Sequence, residues 1–554
     1  MSRATAARMP NSECRMSNCE VSPSQPCAPA FSRGALAALW GAVLLLAVAL
    51  AAANIRLGEL NQDEGWYLYA ARLVSEGQVP YRDFAHTQPP VWSYVYALGQ
   101  PLVDRWGLAG GRLFTALLGL AAALGGAWLA GRLALSGRKS AAALMAFALT
   151  AINVYQSYFC AVVKTYALGA LFLVAGFLLL SADRERAGRV RALAAGIVFS
   201  LAAGTRISAG IVLPVVFVYL LLVRRERPGD WFRFAAGAAA ASALIFLPFF
   251  LMAPEGFIFG VLQYHAARES GGFAAWAVYK AGFVSRVVQA YFVACALLVA
   301  AGLAMLFRLG RRGEAEPGRG VDERRSMLAL LWSAGAAVTL VHFSAPVPYD
   351  DYQVMVFPLF AVALAAGVVR LAPNVTAVRW LTVTMLLVAT GGAFASPINQ
   401  NWFIRGRDRI WWRVREQSPL HTLQATARDV RALAPAANEL LTQDLYLAVE
   451  ARLRVPPGLE LGPFSYYPDW DADRASVRHV LNRAMLADVL AHSPAPVAAF
   501  SGYGLTIRAP EISELPASEQ RALQDLLARR YAPVRDVPGF GQGDTTLTIW
   551  RRRE

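Results

Sequence analysis

NIRLGELNQDEGWYLYAARLVSEGQVPYRDFAHTQPPVWSYVYALGQP, residues 54–101, separates two apolar runs, 35–53 and 113–130. The stretch is polar, aromatic and rich in turn formers, while each flanking run is long enough for a bilayer helix, which needs roughly 20 mostly apolar residues. The same alternation repeats along the chain. Further apolar runs occupy 141–159, 166–180, 193–203, 207–223, 234–252, 287–306, 327–343, 354–369 and 380–394. The shorter ones must extend into their flanks. The weakest is 193–203, interrupted by Gly204, Thr205 and Arg206 and open to being read as one kinked helix with the run after it. The pattern predicts an all-α polytopic bundle of roughly eleven spans.

Composition agrees. The 554 residues are 56% hydrophobic and 16% charged, with mean hydropathy +0.39, whereas soluble domains carry about 25% charge. The net charge of +15 does not point to nucleic acid, because the basic residues collect between spans. Arg-rich breaks lie at 132–139, 184–191, 224–227, 308–325 and 370–379, at every second connection. Positive loops stay on the cytoplasmic side. The N-terminus is therefore expected inside and the alternate loops outside. With an odd number of spans, the C-terminal part is also outside.

Three units follow: a polar, disordered cytoplasmic tail (1–34), a membrane domain (35–398) with a long outward loop (54–108), and an extracytoplasmic α/β domain (399–554). The tail and first span are read as an uncleaved signal anchor. Cys14, Cys19 and Cys27 lie in the tail, Cys160 and Cys295 in or beside spans, so no disulfide framework holds the outer domain.

The outward loops hold the candidate chemistry. Asp63 and Glu64 follow the first span closely. Tyr67, Ala70, Ala71 and Val74 recur at helical spacing, with Asp63 suited to cap that helix and Gly77 and Pro80 to end it. Pro89-Pro90 opens a second amphipathic stretch, 91–98, whose Trp and Tyr suit the headgroup level. A second outward loop, 254–286, carries Tyr264, His265, Arg268, Glu269 and Lys280; a third, 346–353, carries Tyr349, Asp350, Asp351 and Tyr352. Lys164 opens the fourth span and Arg206 sits at the fifth–sixth junction. Charges at such depths are costly and mark function or lipid contact; a lipid-linked phosphate is a fitting partner.

The segment Asp63-Glu64-Gly65-Trp66-Tyr67, with Pro80-Tyr81-Arg82-Asp83-Phe84 and Gln88-Pro89-Pro90 after it, resembles the GT-C-type membrane glycosyltransferases. These include the protein O-mannosyltransferases and the bacterial aminoarabinose transferase of lipid A. The resemblance covers the membrane part in layout and is concentrated in the first loop. It implies a GT-C-like bundle in the cell inner membrane that moves a sugar from a polyprenyl- or undecaprenyl-phosphate donor to an acceptor hydroxyl on the periplasmic face, with inversion. It implies Asp63 as general base with Glu64 beside it. Lys164, Arg206 and Arg82 would stabilise the leaving phosphate. His86, Tyr264, His265 and Tyr352 are further substrate-binding candidates. No cofactor is required; a divalent cation, Mg²⁺ or Mn²⁺, would be the type an acidic pair holds. The acceptor is a glycan, lipid or protein, not nucleic acid. Lys164 is followed by Thr165 and Tyr166, a departure from members that set the cation beside an Asp.

Beyond residue 400 the sequence reads as a small α/β domain. Helices are expected at 420–433, 475–491 and 517–530, strands at 496–500 and 545–550, and an aromatic loop at 459–470. No Walker A loop, HExxH, CxxC or hydrolase-type GxSxG occurs, which removes ATP-driven transport, zinc proteolysis and serine hydrolysis. The rival reading is a transporter or flippase for a lipid-linked or small solute. It predicts internal repeats and polar residues at mid-membrane; no repeat is visible, and the carboxylates collect in a loop.

Overall fold

The computed structural model describes residues 30–181, 188–223, 228–266, 272–309, 323–403 and 417–553. The tail to residue 29 with its three cysteines, most of three Arg-rich breaks, Arg268, Glu269 and residues 404–416 lie outside the described residues.

The first apolar run folds as helix α1, Arg33–Leu57, started by the Ser32 hydroxyl accepting the Ala35 amide. Helices lie on all the other expected runs as well. Among the described residues, five are long and apolar enough to cross a membrane: Arg33–Leu57, Leu108–Leu133, Gly229–Met252, Glu323–Ser344 and Val375–Ala393. A sixth span results if Phe273–Ala290 and Phe292–Leu306, bent by 87° at Tyr291, are counted together. The remaining apolar helical stretches are shorter: Lys139–Ala151, Tyr166–Leu180, Val190–Thr205, Ile207–Leu222 and Phe357–Leu371. One expected run, 141–159, divides at Ile152-Asn153, where the Asn153 side chain caps a new helix, Val154–Phe159. The weak run 193–203 is a helix in its own right, Gly188–Thr205. It packs tightly on Pro228–Met252. A Cβ on Gly196 would meet the Phe234 carbonyl oxygen at 2.2 Å, and one on Gly237 the Leu193 oxygen at 2.3 Å. Within a bilayer helices gain little from the hydrophobic effect, so such close backbone approach supplies the attraction. The helix stops at Arg206, whose backbone is extended, and a 3₁₀ turn, Ile207–Ile211, leads into the next helix.

The loop expected at 254–286 is largely helical. A short helix, Pro254–Ile258, runs into a π turn, Phe259–Gln263. After residues 267–271 the helix Phe273–Ala290 begins.

The C-terminal domain has a four-stranded sheet in the order β1-β2-β6-β5: Leu441–Thr442, Val497–Phe500, Thr545–Arg552 and Tyr531–Phe540. β1 and β2 are parallel and the other pairs antiparallel. A small hairpin, β3 (Ile507–Arg508) with β4 (Ser513–Glu514), stands beside it. The expected helix 475–491 is two helices, Ala472–Val477 and Arg483–His492, parted around His479, which has φ 54.

One hydrophobic core joins this domain to the first loop. It runs from Leu60, Leu68 and Trp92 to Leu445, Leu447 and Ile549. Helix α2, Gln62–Ser75, lies on the helix Leu445–Glu450 so closely that a Cβ on Gly65 would meet the Tyr446 amide nitrogen at 2.3 Å. Each fully buried Leu- or Phe-sized side chain in such a core is worth roughly 1.5–3 kcal/mol against exposure to water. Segments sharing one core share one side of a membrane. The C-terminal domain therefore lies on the side of the first loop, whichever short helices cross.

Candidate active site

The site is built from the end of α1 upward. Helix α1 ends at Leu57, leaving carbonyls without intrahelical partners. The guanidinium of Arg112, fully buried, donates to the oxygens of Ile55 (3.2 Å), Gly58 (3.0 Å) and Glu59 (2.7 Å). It also grips Glu64 through both carboxylate oxygens, at 2.8 and 2.6 Å. Glu64 in turn accepts the amides of Asn61 at 3.0 Å and Val163 at 3.2 Å. The Trp92 indole donates to the Lys164 carbonyl at 3.1 Å. The first loop thus fixes the backbone on which Lys164 stands.

This corrects the expectation for the start of α2. The cap is Asn61, in a capping box with Glu64, and not Asp63. Asp63 is inside the first turn with its carboxylate free of capping. It faces a cavity of about 240 Å³ and keeps a third of its side chain exposed. One oxygen accepts the Trp66 indole at 3.3 Å. The other lies 2.9 Å from Lys164 Nζ, which is also 2.9 Å from Asp351 Oδ2.

Arg206 enters the same cavity from the helix break. It donates to the Thr165 hydroxyl at 3.2 Å and stacks over the rings of Tyr352 (4.1 Å) and Tyr166 (5.3 Å). Its Nε is buried without a hydrogen-bond partner, and among the described residues no carboxylate pairs with it. Rings and a hydroxyl hold this cation, with the Asp351 carboxylate acting on it without a direct ion pair, which leaves attraction for an anionic ligand.

Of the expected residues, Asp63, Lys164, Arg206, Tyr264, His265 and Tyr352 line this one cavity. The π turn delivers Tyr264 and His265; the His265 ring contacts the Thr87 carbonyl at 2.8 Å and the Gln88 amide nitrogen at 3.4 Å. Glu64, Arg82 and His86 are not in its lining. Glu64 is sealed beneath with Arg112. Arg82 is half-exposed and paired with Asp83 at 2.8 Å. His86 is buried edge-on to Tyr81 and Phe84. The acidic pair therefore splits, one carboxylate to the cavity and one to the scaffold. The two carboxylates do not face one cavity. Among the described residues no cluster of three or more His, Cys, Asp or Glu suits a metal ion.

The structure adds Asp351, the second partner of Lys164, whose role depends on tertiary contact. It also adds a wall from the C-terminal domain: Phe464, Tyr503, Ile507, Ile512 and Gln542.

Burial pushes the His86 imidazole down from 6.5 to about 3. The unfolded chain takes up this proton as pH falls through 6.5, the folded protein only near 3. The stability this group contributes is complete above 6.5 and drains away between those values, at about 1.4 kcal/mol per pH unit. Denaturant midpoints in detergent between about pH 7 and 4 should fall more steeply for the wild type than for His86→Leu. Equal slopes would remove His86 as the cause.

No family model matches the chain, and no curated protein matches it in sequence. Solved structures do match. ArnT from Cupriavidus metallidurans bound to undecaprenyl phosphate superposes with TM-score 0.59 at 14% identity, covering 94% of this chain and 98% of that one. The apo form of ArnT gives TM-score 0.60 at 15% identity, covering 93% and 98%. At such identities the likeness concerns fold, and it extends over the bundle and the C-terminal domain together. In fold, this chain is similar to ArnT over nearly its whole length.

Proposed function

We propose that the protein is a membrane glycosyltransferase that takes a sugar from a polyprenyl-phosphate donor to an acceptor hydroxyl. The observation that carries this is the pairing, in one cavity, of a partly exposed carboxylate, Asp63, with a buried cation, Arg206, that makes no carboxylate ion pair among the described residues. The neighbouring fold binds undecaprenyl phosphate in ArnT, which supports a lipid phosphate at the cationic end here.

The acceptor oxygen bonds to the anomeric carbon as its proton passes to Asp63. The bond between that carbon and the phosphate oxygen breaks, and its electron pair leaves on the polyprenyl phosphate. Displacement from the opposite face inverts the anomeric centre. A positioned base is worth roughly 10²–10⁴-fold. Arg206 meets the charge that grows on the leaving phosphate, where a preorganised cation acts most strongly, while Lys164 holds Asp63 in place. Asp351 shares the Lys164 ammonium, so Asp63 does not hold it alone. That ammonium stands between the two carboxylates. The reading places the cavity and the C-terminal domain on the periplasmic side of the inner membrane, in keeping with the Arg-rich breaks.

The test is lipid binding. Purified protein should bind undecaprenyl phosphate and not undecaprenol, and Arg206→Gln should weaken binding roughly ten- to hundredfold, the value of a charge-assisted hydrogen bond. Equal affinity for phosphate and alcohol, or an unaffected Arg206→Gln, would contradict a phosphate at this end.

A further inference from the structure

The cavity is divided by charge. Asp63, Lys164, Arg206, His265 and Asp351 all come from the membrane half, whereas the C-terminal domain presents Phe464, Tyr503, Ile507, Ile512 and Gln542, none of them charged at neutral pH. The hairpin supplying two of these does carry an arginine, but Arg508 turns to Ser513 Oγ at 3.1 Å and to Asp469 at 3.6 Å. Phe464 and Tyr503 are half-buried, and among the described residues neither ring packs on another ring.

This wall is held in place. Leu505 and Ile512 have φ of 59 and 57, a left-handed conformation that a bulky or β-branched side chain takes only when its surroundings impose it. Such strain collects at ligand sites. Contacts around Leu505 and Gln542 hold the wall. The buried Asp444 carboxylate accepts the Ser501 amide (2.8 Å), the Ser501 hydroxyl (2.7 Å) and the Tyr446 hydroxyl (3.1 Å). Gln443 Oε1 accepts the Leu505 amide at 2.7 Å. Gln542 Oε1 accepts the amide of Gln62, the residue before Asp63, at 3.0 Å. The uncharged wall is thereby registered to the proposed base.

We infer that this wall is the acceptor subsite and that it takes an uncharged sugar ring, which lays its C–H face on Tyr503 and Phe464 and turns a hydroxyl to Asp63. The inference rests on reading the cavity as a site of glycosyl transfer. Inversion puts the attacking hydroxyl and the leaving phosphate on opposite sides of the anomeric carbon. Arg206 marks the phosphate side, Lys164 being paired with Asp63 and Asp351, which leaves the neutral wall for the acceptor. A phosphorylated or uronate acceptor would lose water there without gaining a counter-charge, and such burial is costly. A neutral ring loses little, and an aromatic face suits its apolar side.

The experiment uses full-length protein in nanodiscs, with undecaprenyl phosphate present to fill the cationic half. Calorimetry compares a short neutral oligosaccharide with the same oligosaccharide bearing a uronic acid or a phosphate monoester. The neutral probe is expected to bind, with the charged probes at least about tenfold weaker. Tyr503→Ala should weaken the neutral probe by about three- to tenfold while Tyr503→Phe retains it. Should Tyr503→Ala fail to fold, Gln542→Glu keeps the oxygen that accepts the Gln62 amide and adds a negative charge. It should then favour an amino-sugar probe over the neutral one. A charged probe binding as tightly as the neutral one, or no probe binding at all, would overturn the inference. Because binding is read without turnover, missing transfer would count against the reaction alone, and transfer to an anionic acceptor against the wall alone.

Discussion

Replacing Asp63 by Asn is expected to lower the single-turnover rate of glycosyl transfer by roughly 10²–10⁴-fold, the share of a positioned general base. The variant should insert and fold normally. Helix α2 is capped by Asn61 and Glu64, so Asn at 63 removes no cap. Lys164 keeps its contact with Asp351. Affinity for undecaprenyl phosphate should hold or rise, because one negative charge leaves the cavity. A loss confined to the rate assigns Asp63 to the chemical step. A stably inserted Asp63→Asn protein with full activity would remove it from that role.

The second large effect concerns stability. Arg112→Met leaves the Glu64 carboxylate buried without its counter-charge and strips donors from three carbonyls at the end of α1. Breaking such a pair from one side costs about 3–5 kcal/mol, whereas replacing both partners by apolar groups is often close to neutral. Denaturant unfolding in detergent should therefore show Arg112→Met strongly destabilised and Arg112→Met with Glu64→Leu partly restored, short of the wild type because the amides of Asn61 and Val163 and the carbonyls of Ile55, Gly58 and Glu59 lose their partners. If the single and double variants are equally unstable, the pair is not what holds the loop. The same double variant decides between scaffold and chemistry for Glu64. A scaffold role predicts measurable transfer once stability returns; a catalytic role predicts none.

Much of the architecture was legible because apolar runs and Arg-rich breaks are local features of composition. The lengths were less so. Asn153 ends one helix and caps the next inside a single apolar run, a choice that packing makes and hydropathy does not record. The cap of α2 was legible in principle, since Asn61 with Glu64 three residues later is a capping-box pattern. The strand Tyr531–Phe540 went unread because Pro533 and Pro538 argue against a strand; it lies at the sheet edge, where proline is tolerated. In the site, Asp63, Lys164 and Arg206 were found because charge near an apolar span is conspicuous. Asp351 looked like one solvated loop acid among several until the fold set it against Lys164. Tyr503 and Ile512 carried no signal, because their place in the cavity depends on two left-handed turns and on Asp444, far away in sequence.

The most direct measurement is the mass of what the protein makes. Proteoliposomes would receive a polyprenyl-phosphate donor with an isotopically labelled sugar, together with a mixture of membrane glycans, lipids and proteins as acceptors. Glycosyl transfer at this site predicts an acceptor heavier by one labelled sugar residue, free polyprenyl phosphate in equal amount, and neither product with Asp63→Asn. Movement of the intact donor across the bilayer, with the sugar still attached and no glycosylated product, would contradict it and identify the cavity as a passage for lipid.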